Sequence, residues 1–174
     1  MKRLEYLLMT MISTGVLVQF GCMNYKGYKS MVQKQPSEQV AGGSTSAQTL
    51  GPSFQQVGTI PADKTIVYIY RPGGLTGGLG MPFGLKANGI TLITLVQGGY
   101  YAYLTEPGKI EFTTFEVGFM APSSVFSITV DATAQQAYYL KGAHGKGISG
   151  RASLQLVSPE IGANEIVNCK LITQ

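Results

Sequence analysis

Apolar positions along the chain fall in short runs broken by glycine and proline, with no sustained helical period. The run KTIVYIYR (64–71) is apolar on both faces, with Ile66, Tyr68 and Tyr70 on one and Val67 and Ile69 on the other. That pattern predicts a strand lying centrally in a sheet. Pro72 ends it, because proline fixes φ and lacks the amide that a ladder needs. Asn88-Gly89 tolerates the positive φ of a tight hairpin, so residues 83–87 and 90–96 are expected to pair. A turn at Gly98-Gly99, a strand over 100–104, a type II turn at Pro107-Gly108 and a strand over 110–117 follow. Residues 125–132 alternate, placing Phe126, Ile128 and Val130 inward. Strands over 136–142 and 152–157, the latter with Leu154 and Leu156 inward, precede a short helix begun at Pro159. Seven or eight short strands at regular spacing predict one all-β domain, an antiparallel β-sandwich over 62–174.

Upstream, the pattern is different. Lys2 and Arg3 precede an apolar stretch over 7–20 and a small residue, Gly21, which are the three parts of a secretory signal. Those 14 residues include Thr10, Ser13, Thr14, Gly15 and Gln19, too short and too polar for a span of about 20 apolar residues. Ordinary signal peptidase needs small residues at −1 and −3, and no alanine occurs before Ala41. Gly21-Cys22 is the one good cleavage point, and it resembles a bacterial lipobox in which Cys22 carries the lipid. Gln19 and Phe20 depart from the usual flank. A disulfide between Cys22 and Cys169 is the other reading, and it is exclusive of the first because the acylated sulfur is a thioether. A cysteine at the end of a signal favours the anchor, leaving Cys169 a free thiol that behaves as a small buried hydrophobe. From Cys22 to Pro61 the Gln-, Ser-, Gly- and Thr-rich composition predicts a flexible tether (22–61) with a span of roughly 35 Å. Met23 rather than Asp after Cys22 points to the outer membrane, facing the periplasm.

Charge adds little. Removal of residues 1–21 leaves 11 basic and 8 acidic residues, dispersed along the chain, which is poor evidence for nucleic acid as a partner.

The order of pieces, ADKTIVYIYRP, a Gly-rich break, LKANGITLITLVQGGYYAYLTEPGKIEFTT and a closing GRASLQLVSPEIGANEIVNCKL, resembles bacterial lipoproteins of the domain of unknown function 2846 family over residues 61–172. The resemblance rests mainly on the Y-R-P strand end and the G-x-Y-x-Y…P-G-K hairpin. It implies a transthyretin-like or immunoglobulin-like sandwich displayed in the cell envelope, and no reaction.

Candidates for chemistry are few. GKGISG (145–150) satisfies G-x-G-x-x-G, but a strand-like RASLQLV follows where a dinucleotide site needs a helix, so it reads as a hairpin loop. His144 is the one histidine and reads as an exposed loop residue without a metal-binding cluster around it. Glu106, Glu111, Glu116 and Asp131 are scattered, and none is singled out as catalytic. The tyrosines carry two readings: an exposed row of which Tyr101 and Tyr103, with Arg71, form a binding surface, or cover for the core with hydroxyls at the rim. The absence of Trp weighs against sugar stacking, and half-buried strands favour core cover. Arg71 is read either as pairing with a partner's carboxylate or, the usual case, as ending a strand with its charge in water. The expectation is a lipid-anchored envelope lipoprotein that displays a binding module, without enzymatic activity or cofactor, and with an envelope protein as partner. A subunit of a secretion or conjugation machine is the nearest alternative, and a cell-wall or glycan hydrolase a more distant one.

Overall fold

The computed structural model describes residues 49–74, 81–117, 126–145 and 151–173. Within them are ten strands and one helix: β1 (Thr49–Ser53), β2 (Thr65–Tyr70), β3 (Phe83–Ala87), β4 (Ile90–Leu95), β5 (Gly99–Thr105), β6 (Gly108–Glu116), β7 (Phe126–Ala132), β8 (Ala137–His144), β9 (Ala152–Val157), α1 (Pro159–Ile166) and β10 (Lys170–Thr173). A six-stranded sheet, β1-β10-β5-β2-β8-β9, faces a four-stranded sheet, β4-β3-β6-β7. The protein is an all-β sandwich.

Each local device acts where the residues demand it. Asn88 (φ 49°) and Gly89 (φ 81°) both take the left-handed backbone of the β3–β4 turn. The Asn88 side-chain oxygen accepts from the Glu111 amide at 2.9 Å, fixing the turn against β6. Ser158 caps α1 by accepting from the Ile161 amide at 3.4 Å, and Pro159 occupies the first turn, where no amide is missed.

The packing explains why β2 has no polar face. Val67 and Ile69 join Phe83, Leu85, Phe112 and Leu140 in the apolar layer between the sheets. Ile66, Tyr68 and Tyr70 project to the opposite side, into a second cluster with Tyr100, Tyr139, Ile166, Cys169 and Leu171. Helix α1 and Phe54, Val57 and Ile60 close that second cluster. All six residues of β2 are buried, and each large aliphatic side chain so placed contributes about 1.5–3 kcal/mol. α1 reaches the sheet closely because it presents glycine: a Cβ on Gly162 would lie 2.3 Å from Cγ of Tyr139.

Three expectations need correction. Residues 49–53, expected to lie in a tether reaching Pro61, belong to the sandwich, since β1 pairs with β10 through Thr49–Thr173 and Leu50–Ile172. Phe54 stands edge-on to Tyr68 and Tyr100, with ring centroids 5.2 Å apart in each case. β1 is hidden in the sequence because Gly51 and Pro52 interrupt it, which an edge strand tolerates at an irregular step. The sandwich is also not wholly antiparallel: β2–β8 and β5–β10 run parallel. Strand patterns carry no direction, and the residues between β2 and β8 build all four strands of the facing sheet, supplying the long connection a parallel pair needs. Finally, Phe126 (37% exposed) and Leu156 (43%) do not reach the core, because each lies near the end of an edge strand. Residues 1–48, among them Gly21 and Cys22, and residues 146–150 of the glycine loop lie outside the described residues.

Candidate functional site

The site begins where β2 ends. Arg71 continues the ladder of the six-stranded sheet: its amide donates to the Gly99 carbonyl and its carbonyl accepts from the Gly98 amide, both at 2.9 Å. Its side chain crosses to the start of β3. There the guanidinium lies over the Phe83 ring, 5.6 Å from the centroid, and Nη1 donates to the Met81 carbonyl at 2.6 Å. Arg71 is only 4% exposed, against the expectation of a charge in water, and burial pushes its pKa down. Among the described residues it forms no ion pair, so a buried cation stands without a compensating carboxylate.

The parallel register sets Lys141 of β8 opposite Tyr70, one residue before Arg71. Lys141 Nζ lies 2.6 Å from Glu165 Oε1 of α1, and the Tyr70 hydroxyl donates to Glu165 Oε2 at 2.7 Å. These two bonds, Lys141's first, hold the Glu165 carboxyl below the usual carboxylate range. Burial, and then the bond to Glu165, push the Tyr70 hydroxyl far up. Glu165 is therefore already committed, as an anion, to two partners.

His144 closes the same strand, and here too the expectation is corrected. It is 6% exposed rather than in open solvent. Its Nε2 lies 3.3 Å from Glu116 Oε2, with the two side chains 3% and 7% exposed. Glu116 Oε1 accepts from the Ala152 amide at 3.0 Å, so one carboxylate of β6 ties together β8 and β9 of the facing sheet. A polar residue there is retained between the layers because each of its oxygens has a partner.

Arg71, Gln97, Lys141, His144 and Glu165 line one cleft of about 350 Å³, with Gly142 and Ala143 as part of its wall. Gln97 Nε2 donates to the Gly74 carbonyl. No family model, curated protein or solved structure matches the chain.

Of the three residues proposed as a binding surface, the structure brings only Arg71 to the cleft. Tyr101 (7% exposed) and Tyr103 (8%) lie in the layer between the sheets, Tyr103 edge-on to Phe112 with centroids 6.0 Å apart. Burial pushes the Tyr101 hydroxyl up. They cover the core and offer no surface row. The cleft residues that sequence reasoning passed over are Lys141, Glu165, Gln97 and, as a buried group, His144. Their one common signal is a charged or polar residue set in or beside an apolar run, as in AYYLKGAH.

Chemically the cleft holds two cationic side chains, one histidine and one lining carboxylate that is bonded twice. Among the described residues no group of three or more His, Cys, Asp or Glu is placed to hold a metal ion. Cys169 is buried, its thiol 3.7 Å from the Arg71 carbonyl, and burial pushes its pKa up to about 11, which makes it a poor nucleophile. What the arrangement offers is a recess with Arg71 and Lys141 as its cations and Glu165 as its lining carboxylate. Among the described residues no helix is long and apolar enough to cross a membrane.

Proposed function

We propose that the chain is a lipid-anchored protein of the bacterial cell envelope that displays the sandwich as a binding module and acts by binding rather than by catalysis. Cys22, following the cut after Gly21, is the anchor, and the residues up to about 48 are the tether, on the outer membrane facing the periplasm. The resemblance to lipoproteins of the domain of unknown function 2846 family supports the same reading. The observation that carries the binding role is Arg71, a buried cation without a carboxylate partner among the described residues, lining a cleft of about 350 Å³. Ligand pockets begin at about that size, and a cavity with a few convergent polar groups is the usual form of a binding site. The carboxylates nearest it are engaged by Lys141, Tyr70, His144 and the Ala152 amide, which argues against a free acid–base pair.

The test is crosslinking in intact cells followed by purification, comparing wild type, Cys22→Ala and Arg71→Met. Wild type is expected to carry fatty acid by mass spectrometry and to capture an envelope partner. Cys22→Ala is expected to lose the lipid and leave the membrane fraction, and Arg71→Met to keep the lipid but lose the partner. A wild-type protein without fatty acid sinks the anchor, and a partner held equally by Arg71→Met sinks the cleft.

A further inference from the structure

We propose that the Arg71 cleft is a carboxylate-binding site, taking a single carboxylate group on a small ligand or at the free C-terminus of a peptide. The proposal rests on the binding reading above and names its ligand class. An arginine carries five N–H donors in a planar fork. Among the described residues, Arg71 uses one side-chain donor, on the Met81 carbonyl, although the residue is 4% exposed. Buried polar groups are overwhelmingly satisfied, so donors left open on a buried guanidinium beside a cleft point to an acceptor that enters from outside.

The charges select the valence. Lys141 and Glu165 form a pair at 2.6 Å and largely cancel, leaving Arg71 as the uncompensated charge. A monoanion completes that balance. A dianion such as phosphate would bring excess charge beside Glu165, which also lines the cleft. Geometry agrees, because the guanidinium fork matches the two oxygens of a carboxylate in a bidentate pair. The Met81 carbonyl holds Nη1 at 2.6 Å, the Phe83 ring centroid lies 5.6 Å from the guanidinium carbon, and the Arg71 backbone is pinned by Gly98 and Gly99. The fork is therefore preorganised, and little side-chain freedom remains to be lost on binding. The cleft volume of about 350 Å³ leaves room for a few heavy groups behind the carboxylate.

The experiment is an NMR titration of the full, isotope-labelled chain in detergent, in a buffer free of carboxylates, following the Arg71 Nε–H and the Gly98 and Gly99 amides. The probes are acetate, N-acetyl-alanyl-alanine and the C-terminal amide of that same dipeptide. Acetate and the free-acid dipeptide are expected to saturate, with a dissociation constant on the order of 1 mM for one charge-assisted contact set. The amide is expected to fail. A dipeptide binding tenfold or more tighter than acetate assigns the carboxylate to a peptide end, and equal affinity assigns it to a small free acid. Arg71→Met is expected to lose at least tenfold. Should Arg71→Met not fold, Lys141→Gln, at a one-third exposed side chain, leaves Glu165 uncompensated and is expected to weaken binding at least threefold. Binding of the amide as tight as the acid, no saturation by either acid, or affinity unchanged in the variant that folds overturns the proposal. Acid probes that fail while crosslinking still captures an Arg71-dependent partner overturn the ligand class alone. Acid probes that bind while crosslinking captures nothing overturn the protein partner alone.

Discussion

The two faces of the six-stranded sheet are both apolar, yet they are closed by different means. On the inner face, Val67, Ile69 and Leu140 meet Phe83, Leu85, Ile93 and Phe112 of the other sheet, one regular layer against another. On the outer face, Tyr68, Tyr70, Tyr100 and Tyr139 are covered by one short helix and the irregular segment around Phe54, Val57 and Ile60. A sheet meets its partner with continuous apolar side chains, whereas a helix and a loop leave polar backbone to be answered. Tyrosine suits the second task, since its ring fills the layer and its hydroxyl reaches the cover. Tyr68 does so by accepting from the Val57 amide at 2.9 Å, and Tyr70 by donating to Glu165 at 2.7 Å. The cleft lies at the rim of this second, patched face, where α1 supplies Glu165 and the sheet supplies Lys141 and Arg71.

If the inner face depends on volume alone, its largest loss comes from emptying it. Phe112→Ala, at a fully buried ring packed against Tyr103, is expected to cost about 3–5 kcal/mol, read from the midpoint and slope of urea unfolding. The outer face is expected to break in the opposite sense, by addition. Gly162→Ala places a methyl 2.3 Å from Cγ of Tyr139, so α1 must shift from the sheet at about 1–3 kcal/mol. In an ordinary helix interior the same change would stabilise. A Gly162→Ala variant with a raised melting temperature would show that the helix is not held against the sheet.

Smaller still is the hydroxyl that joins cover to sheet. Tyr68→Phe keeps the ring against Tyr139 and Phe54 and removes the acceptor of the Val57 amide. The expected loss is about 1 kcal/mol, because the bond is only part-buried and water can replace it. Hydrogen exchange at the Val57 amide is expected to accelerate in this variant, with the β2 amides unchanged.

The same contrast governs what could be read without a structure. Hairpin β3–β4 at Asn88-Gly89, the central strand β2 and the start of α1 at Pro159 are written in neighbouring residues, and each is found where its local chemistry requires. β1 is not legible, since Gly51-Pro52 reads as a break and its partner Thr173 lies 124 residues away from Thr49. The burial of Tyr101 and Tyr103 follows from β5 sitting inside the sheet, which the alternation of one strand cannot reveal. The cleft is the least legible part. Its Glu165 is held by Tyr70, 95 residues earlier, and its Arg71 and Lys141 are brought together by a parallel register between β2 and β8 for which no sequence pattern codes. His144 shows the limit most plainly, because a histidine between alanine and glycine reads as loop until Glu116 is placed beside it from the facing sheet.

The smallest effect is electrostatic and belongs to the rim of the patched face. Glu165 is held below the usual carboxylate range by Lys141 and then Tyr70, so it binds its proton less readily folded than unfolded. A depressed carboxylate stabilises the folded chain at pH above its unfolded value, about 4.3, and that contribution fades as pH falls through the lower folded value. The side chains of Lys141 and Glu165 are each about one-third exposed, at 33% and 31%, so screening keeps the gain to roughly 0.2–1 kcal/mol. Comparing melting temperatures of wild type and Glu165→Gln from pH 7 to pH 3 reads it directly. Wild type is expected to lead at neutral pH and the gap to close in acid. A gap constant with pH would mean that Glu165 acts there through packing alone, and the charge balance that leaves Arg71 as the open cation of the cleft would have to be redrawn.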